Sequence, residues 1–282
     1  NIVIMKKNLI TITILLGSFL LGNLFIPLVL AQEIPEPVKN EEVVARERLE
    51  SEIAGLKEVY RGQLSEYRDA DKEFVIAKDQ YHQLGTLASI NDATEAARKV
   101  FALRDQVLIS YFELLRANII SSEGIELSLK EIVVKRIETE GRWMVDHKQR
   151  VIKMLDRTQF NSLADEVTEK EDDFKEVALQ AMAILSMGEL QDVYDRLVLV
   201  RKDIYDLEAK SSTADKTRAS KETDRLISSV KINLDEVWVE LGEDIVDGNV
   251  SSFSSNSLKT LDPIYSGLNK TVSFLQELLR EQ

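Results

Sequence analysis

The chain has 282 residues, no cysteine, and 49 acidic against 36 basic side chains, which gives a formal net charge of −13. This length allows a sizeable core without crosslinks, and the lack of cysteine excludes disulfides, thiolate nucleophiles and cysteine-ligated zinc. The acidic balance argues against binding to nucleic acid or to an anionic membrane surface, because both attractions depend on clustered Lys and Arg.

Residues 1–31 have the pattern of an export signal. Lys6 and Lys7 are followed by an uncharged, largely apolar run that ends at Ala31. Positive charge followed by an apolar segment and small residues near its end is typical of a secretory leader. We therefore predict a signal peptide over 1–31, with cleavage between Ala31 and Gln32.

The same run also fits an uncleaved N-terminal membrane anchor. We take Met5 as the expected start and the preceding four residues as an upstream extension. The uncharged run from Asn8 to Ala31 covers 24 residues, and about 20 suffice to span a bilayer as a helix. Pro27 interrupts it close to the cleavage site. Both readings place the body of the protein outside the cytoplasm, because positive charge stays inside. We predict a secreted, periplasmic or cell-surface protein that contacts a membrane only through this segment, if it is uncleaved.

The rest of the chain has a helical composition. Pro35 and Pro37 make residues 32–40 an extended linker, since proline disfavours helix at its own position and at the preceding one. Only Pro263 follows them, in a stretch rich in Ala, Leu, Glu, Lys and Arg that shows no period-two alternation. The predicted fold class is all-α.

The clearest periodicity lies in residues 41–84, where apolar side chains repeat every seven residues, as in a coiled-coil helix. One seam contains Ile53, Tyr60, Tyr67, Phe74 and Tyr81, and the other contains Leu49, Leu56, Ala70, Ala77 and Leu84. Two further helices, to about residue 120 and from about 123 to 156, complete a predicted three-helix bundle over 41–158.

Residues 159–282 are predicted to form a four-helix region. We expect a helix break at Gly188, a hairpin tip near 211–214 and a Ser/Gly-rich loop at 242–257. The last helix should begin near Ser257, with Pro263 in its first turns. About seven helices after the leader would then form an elongated antiparallel bundle, or bundles, with long coiled-coil-like helices.

No catalytic, cofactor-binding or metal-binding motif is recognisable. The two histidines, His82 and His147, lack the spacing of a zinc or di-metal site, and the glycines form no phosphate-binding loop. Asp244, Asp247 and Asn249 resemble part of a calcium loop but lack its closing glutamate. We predict no catalytic residue, no cofactor and no metal, and hence a protein that is not an enzyme.

The best candidates for a ligand or partner face are the seam aromatics and the histidine on the apolar side of the third helix: Tyr60, Tyr67, Phe74, Tyr81, Tyr111 and His147. Seven-residue spacing favours a bundle core for these residues, and an aromatic-lined groove is the other interpretation.

Two functions therefore remain open. The first is an exported, non-enzymatic helical-bundle protein of the cell envelope, with a structural role or a role in protein–protein contact, whose helices bind a protein partner or a second copy. The alternative is an extracytoplasmic ligand-binding or sensory bundle built around the aromatic groove.

Overall fold

The computed structural model describes residues 41–208, 218–248 and 251–281. The predicted leader, its cleavage site between Ala31 and Gln32, the linker at 32–40 and the tip near 211–214 lie outside these ranges. Residues Arg46–Gln282 form one compact unit, and the division predicted after residue 158 falls within it.

Within the described ranges the chain is helical and contains no strand, which confirms the all-α class. There are six helices in this part of the chain, against about seven predicted for the whole chain after the leader. They are α1 (Glu41–Leu84), α2 (Leu87–Ser121), α3 (Leu127–Ile152), α4 (Arg157–Glu208), α5 (Arg218–Asp247) and α6 (Ser251–Glu281).

Short capping interactions separate the first helices. Gly85 has φ +59° and its N–H donates to the Tyr81 carbonyl at 3.0 Å, so a residue with a left-handed backbone ends α1 where the 41–84 periodicity ends. Thr86 Oγ1 then accepts from the Ser89 N–H at 3.2 Å at the start of α2. The Asp156 carboxylate accepts from the N–H of Thr158 at 2.8 Å in the same way at the start of α4.

The first half of α4 shares a core with α1, α2 and α3, and adjacent helices run antiparallel. Phe160, close to the start of α4, contacts the rings of Phe74 on α1 and Phe101 on α2, at centroid distances of 6.4 and 4.7 Å. Further along α4, Phe174 lies 5.5 Å from Trp143 of α3. Four helices therefore surround this core, where the sequence suggested three over 41–158.

The predicted helix break at Gly188 is wrong. Helix α4 is continuous over 52 residues, about 78 Å at 1.5 Å per residue. A Cβ on Gly188 would lie 2.5 Å from Cγ1 of Ile125 and 2.8 Å from Oγ of Ser122, and one on Gly124 would collide with the Gly188 carbonyl. Glycine occupies both positions because the α2–α3 connection lies directly on α4.

The second half of α4 packs with α5 and α6. Arg201 Nε donates to Asp224 Oδ1 of α5 at 2.7 Å, and Gly267 of α6 lies so close to Val230 of α5 that a Cβ would clash with its side chain. Arg136 of α3 connects α4 with α5. Its Nη1 donates to Gln180 Oε1 of α4 at 2.7 Å and to the Ile245 carbonyl of α5 at 2.6 Å.

The predicted Ser/Gly-rich loop at 242–257 is also wrong. Helix α5 continues to Asp247 and α6 begins at Ser251, because Leu241 and Ile245 extend the buried side of α5 by another turn. Pro263 consequently lies well inside α6, and not in its first two turns.

Candidate functional site

Most of the residues predicted to form a ligand or partner face lie in the core shared by α1–α4. Tyr60, Tyr67 and Tyr111 are 2, 7 and 4% exposed, and His147 is fully buried. The rings of Tyr60 and Tyr111 lie 5.8 Å apart across the α1–α2 contact. Tyr60 and Tyr67, which are seven residues apart on α1, therefore lie inside the protein and not on its surface.

The two remaining candidates are half-buried and lie further along α1. Phe74 contacts Phe160 as described above, and Tyr81 contacts its neighbour His82 at a centroid distance of 5.1 Å. Neither lies against Tyr60 or Tyr111, so the six predicted residues do not converge on one surface.

At the centre of this core lies a set of polar and aromatic side chains that we call the His147 cluster. It consists of Arg104, Asp105, Trp143 and His147. His147 Nδ1 lies 2.6 Å from Asp105 Oδ2, and Nε2 lies 3.0 Å from the Leu163 carbonyl of α4. The Trp143 ring stacks on the imidazole, with centroids 4.9 Å apart and planes inclined by 11°. Three helices therefore contribute partners to one buried side chain.

Both ring nitrogens of His147 are engaged in hydrogen bonds. The Leu163 carbonyl can only accept, so Nε2 donates an N–H to it, and Nδ1 shares a hydrogen bond with the Asp105 carboxyl group. Because the ring is also fully buried, this arrangement leaves neither nitrogen open for proton abstraction or metal binding, although a His–Asp pair is a familiar part of catalytic triads.

Arg104 completes the cluster toward α1. Its Nη2 donates to Asp105 Oδ1 at 2.8 Å, and its guanidinium lies 4.2 Å above the Phe101 ring. Burial, followed by the charge of Asp71, raises the pKa of Tyr67 to about 12, against a smaller lowering by Arg104. The Asp105 carboxylate thus lies between two buried basic side chains, Arg104 and His147, and hydrogen-bonds to both.

Sequence reasoning found His147 but missed Arg104, Asp105 and Trp143. The available signal was a pair of charges within an apolar stripe: Asp105 comes four residues after Phe101 and three before Leu108, both buried. A charge at a core position of a helix needs a buried partner, and His147 is the polar residue at a matching position of α3.

A different kind of surface lies on α5. Ile232, Val239 and Val246 are 58, 63 and 61% exposed and follow one another at intervals of seven residues. They lie on the side of α5 opposite Leu234, Leu241 and Ile245, which are fully buried. We call these three exposed residues the α5 stripe. Seven-residue apolar spacing on an exposed helix face is typical of a seam that receives another helix.

In the described ranges 41–208, 218–248 and 251–281, no group of three or more His, Asp or Glu side chains is arranged to hold a metal ion. None of the helices in these ranges is sufficiently long and apolar to cross a lipid bilayer.

Comparison with protein-family models, with curated proteins and with solved structures finds no match to this chain.

Proposed function

We propose that this chain is an exported, non-enzymatic helical-bundle protein of the cell envelope that acts by binding another protein through its helix surfaces. Its long helices form an elongated antiparallel bundle of coiled-coil-like character, and residues 1–31 direct it out of the cytoplasm. The observation that carries the proposal is the α5 stripe, since three exposed apolar residues in register on one helix face are a protein-binding feature.

The same geometry gives less support to the ligand-binding alternative. Tyr60, Tyr67 and Tyr111 pack against neighbouring helices in the core, so a ligand would have to open the bundle to reach them. A catalytic role gains no support from the His147 cluster either, because both imidazole nitrogens are already bonded to acceptors.

Cell fractionation tests the export part of the proposal. The full chain is expressed, membrane and soluble fractions are separated, and the mass of the N-terminal peptide is determined. A soluble extracytoplasmic product beginning at Gln32 supports a released protein, and an intact N-terminus in the membrane fraction supports a tethered one. A soluble cytoplasmic product with an intact N-terminus would overturn the export part.

Photo-crosslinking tests the contact part. A photoreactive amino acid is introduced in turn at exposed apolar positions of different helices, such as Ile76 on α1, Leu199 on α4 and Val239 on α5. Irradiation of the cell envelope should link the chain to a defined protein from at least one position. Absence of any specific product at every position would overturn a contact role.

A further inference from the structure

An open groove of about 700 Å³ runs beside the α5 stripe, between the start of α3 and the second half of α5. Its floor is apolar, and it includes Leu129, Trp238, Val239 and Val246. Two members of the α5 stripe thus line the groove directly. From Asp235 to Asp247 the α5 wall has a length of about 18 Å at 1.5 Å per residue, which matches roughly three turns of a docked helix.

Trp238 is an aromatic side chain of the groove floor that is held in one orientation. Its indole Nε1 donates to Gln191 Oε1 of α4 at 3.3 Å, which holds the ring between α4 and α5 while part of it remains exposed in the groove. A large aromatic surface held in one orientation is the kind of residue around which binding energy concentrates.

The rim of this groove is acidic. Four carboxylates border it: Glu126, Asp235, Glu243 and Asp247. Asp235 pairs with Lys231, whereas neither Glu243 nor Asp247 has an ion pair among the described residues. Arg136 donates to the Ile245 and Val246 carbonyls and forms no ion pair with these carboxylates among the described residues.

From this combination we infer that the groove is the docking site for an amphipathic helix of a partner protein whose apolar face is flanked by Lys and Arg. Apolar side chains of that helix cover Val239, Val246 and Trp238, and its basic flanks meet Glu243 and Asp247. A second copy of this chain is the poorer occupant, because it has a net charge of −13 and would bring another acidic rim. The inference rests on the proposed function and specifies its partner.

A peptide-binding experiment tests the inference. The probe is a synthetic amphipathic helix of about 20 residues, roughly 30 Å long, with Leu and Ile on one face and Lys on its flanks. Two control peptides carry Glu in place of Lys, or the same residues in scrambled order. Binding to the full chain is followed by fluorescence anisotropy of the labelled peptide at low and high salt. We expect the basic amphipathic peptide to bind best, and to bind more weakly at high salt.

Paired variants locate the binding. The double variants Val239→Ser/Val246→Ser and Glu243→Lys/Asp247→Lys should each weaken binding of the basic peptide about tenfold or more. Their matched controls lie on exposed faces of α1 and α2: Val75→Ser/Ile76→Ser for the apolar pair and Glu66→Lys/Glu113→Lys for the charged pair. The controls should bind like the parent protein. Because all these side chains are exposed, thermal melts of the variants should match that of the parent.

Three results would overturn the inference. The first is no binding of the basic peptide, and the second is equal weakening by the groove variants and their controls. The third is a concentration-dependent dimer that Val239→Ser/Val246→Ser dissociates, which would assign the groove to a second copy.

Crosslinking distinguishes this inference from the proposed function on which it rests. Products from Ile76 or Leu199 but none from Val239 would remove the groove as the docking site and leave a contact function in place. No product from any of these positions would remove the contact function itself.

Discussion

Asp105 of α2 and His147 of α3 form a fully buried pair, with 2.6 Å between Oδ2 and Nδ1. The second imidazole nitrogen donates to the Leu163 carbonyl of α4, so this one pair fixes the relative positions of three helices. Breaking a buried ion pair leaves an uncompensated charge in the core, which costs several kcal/mol.

Asp105→Asn should therefore lower the free energy of unfolding by about 3 kcal/mol, because the amide removes the buried carboxylate that pairs with Arg104 and His147. Urea denaturation followed by circular dichroism measures this loss. Glu138→Gln is the matched control, since it breaks the exposed ion pair with Arg116 and should cost less than about 1 kcal/mol. Equal effects of the two substitutions would show that the buried pair contributes no more to the free energy of unfolding than an exposed ion pair does.

Alkaline pH should destabilise the protein through its buried tyrosines. Burial is the main cause that raises the pKa of Tyr60 and of Tyr67 to about 12 in the folded protein, against about 10 for an unfolded chain. The folded state therefore holds these protons more tightly, and the stability this provides is present below pH 10 and lost as the pH rises toward 12. Each tyrosine should lower the free energy of unfolding by about 1.4 kcal/mol per pH unit in that window.

Urea titrations at pH 9, 10, 11 and 11.5 measure this slope. Tyr67→Phe should make it shallower, whereas Tyr205→Phe, at a position that is about half exposed, should leave it as in the parent protein. A slope in Tyr67→Phe as steep as in the parent would contradict the assignment to buried phenols.

Gly124 of the α2–α3 connection and Gly188 of α4 should tolerate no side chain, because the two segments lie in direct contact there. Gly188→Ala places a methyl group 2.5 Å from Cγ1 of Ile125, so we expect a loss of about 2 kcal/mol or more from overpacking. Gly141→Ala on α3 is the control, since nothing lies within 4 Å of its added Cβ, and it should stabilise the helix by up to about 1 kcal/mol. Thermal unfolding of both variants checks the opposite signs, and stabilisation by both would disprove the close contact.

Arg136 should be irreplaceable by lysine. Its guanidinium bonds to Gln180 of α4 and to the Ile245 carbonyl near the end of α5, and a single ammonium cannot reproduce this planar fork. We expect both Arg136→Lys and Arg136→Ala to cost about 1–3 kcal/mol and to speed amide hydrogen exchange near the end of α5. The control Arg142→Lys, at an exposed position of α3, should leave both the stability and the exchange rates unchanged. Full retention of stability in Arg136→Lys would show that a positive charge alone suffices at this position.

Tyr111→Phe should be neutral or stabilising. The buried Tyr111 hydroxyl has no hydrogen-bond partner among the described residues, and an unsatisfied buried polar group costs about 1–3 kcal/mol. Urea denaturation should show no loss and a gain of up to about 1 kcal/mol. A clear loss would indicate that the hydroxyl has a partner, such as a buried water molecule.

The seven-residue repeat of α1 predicted the helix and part of its buried side. Tyr60, Tyr67 and Ala70 are buried, whereas Leu84 is 65% exposed and the buried Leu64 lies outside both predicted seams. A stripe of apolar side chains at this period can be buried only if the segment is helical, so Tyr60 and Tyr67 could be assigned to a core without knowledge of the fold. The all-α class and the end of α1 at Gly85 followed from equally local signals, composition and a glycine suited to a left-handed backbone.

Gly188 was misread because a glycine has two structural uses. Glycine can end a helix, or it can let another segment approach the helix closely, and the sequence pattern is the same in both cases. Only the position of the α2–α3 connection on α4 shows which use applies at Gly188.

The sequence by itself determined the helical class, the long first helix and most of its core, because these depend on interactions between residues close in the chain. The pairing of Asp105 with His147 and the exposure of Val239 beside an acidic rim were decided only by the tertiary structure. A charge on a helix is buried or exposed according to which helices pack around it, and that depends on contacts between residues far apart in the chain.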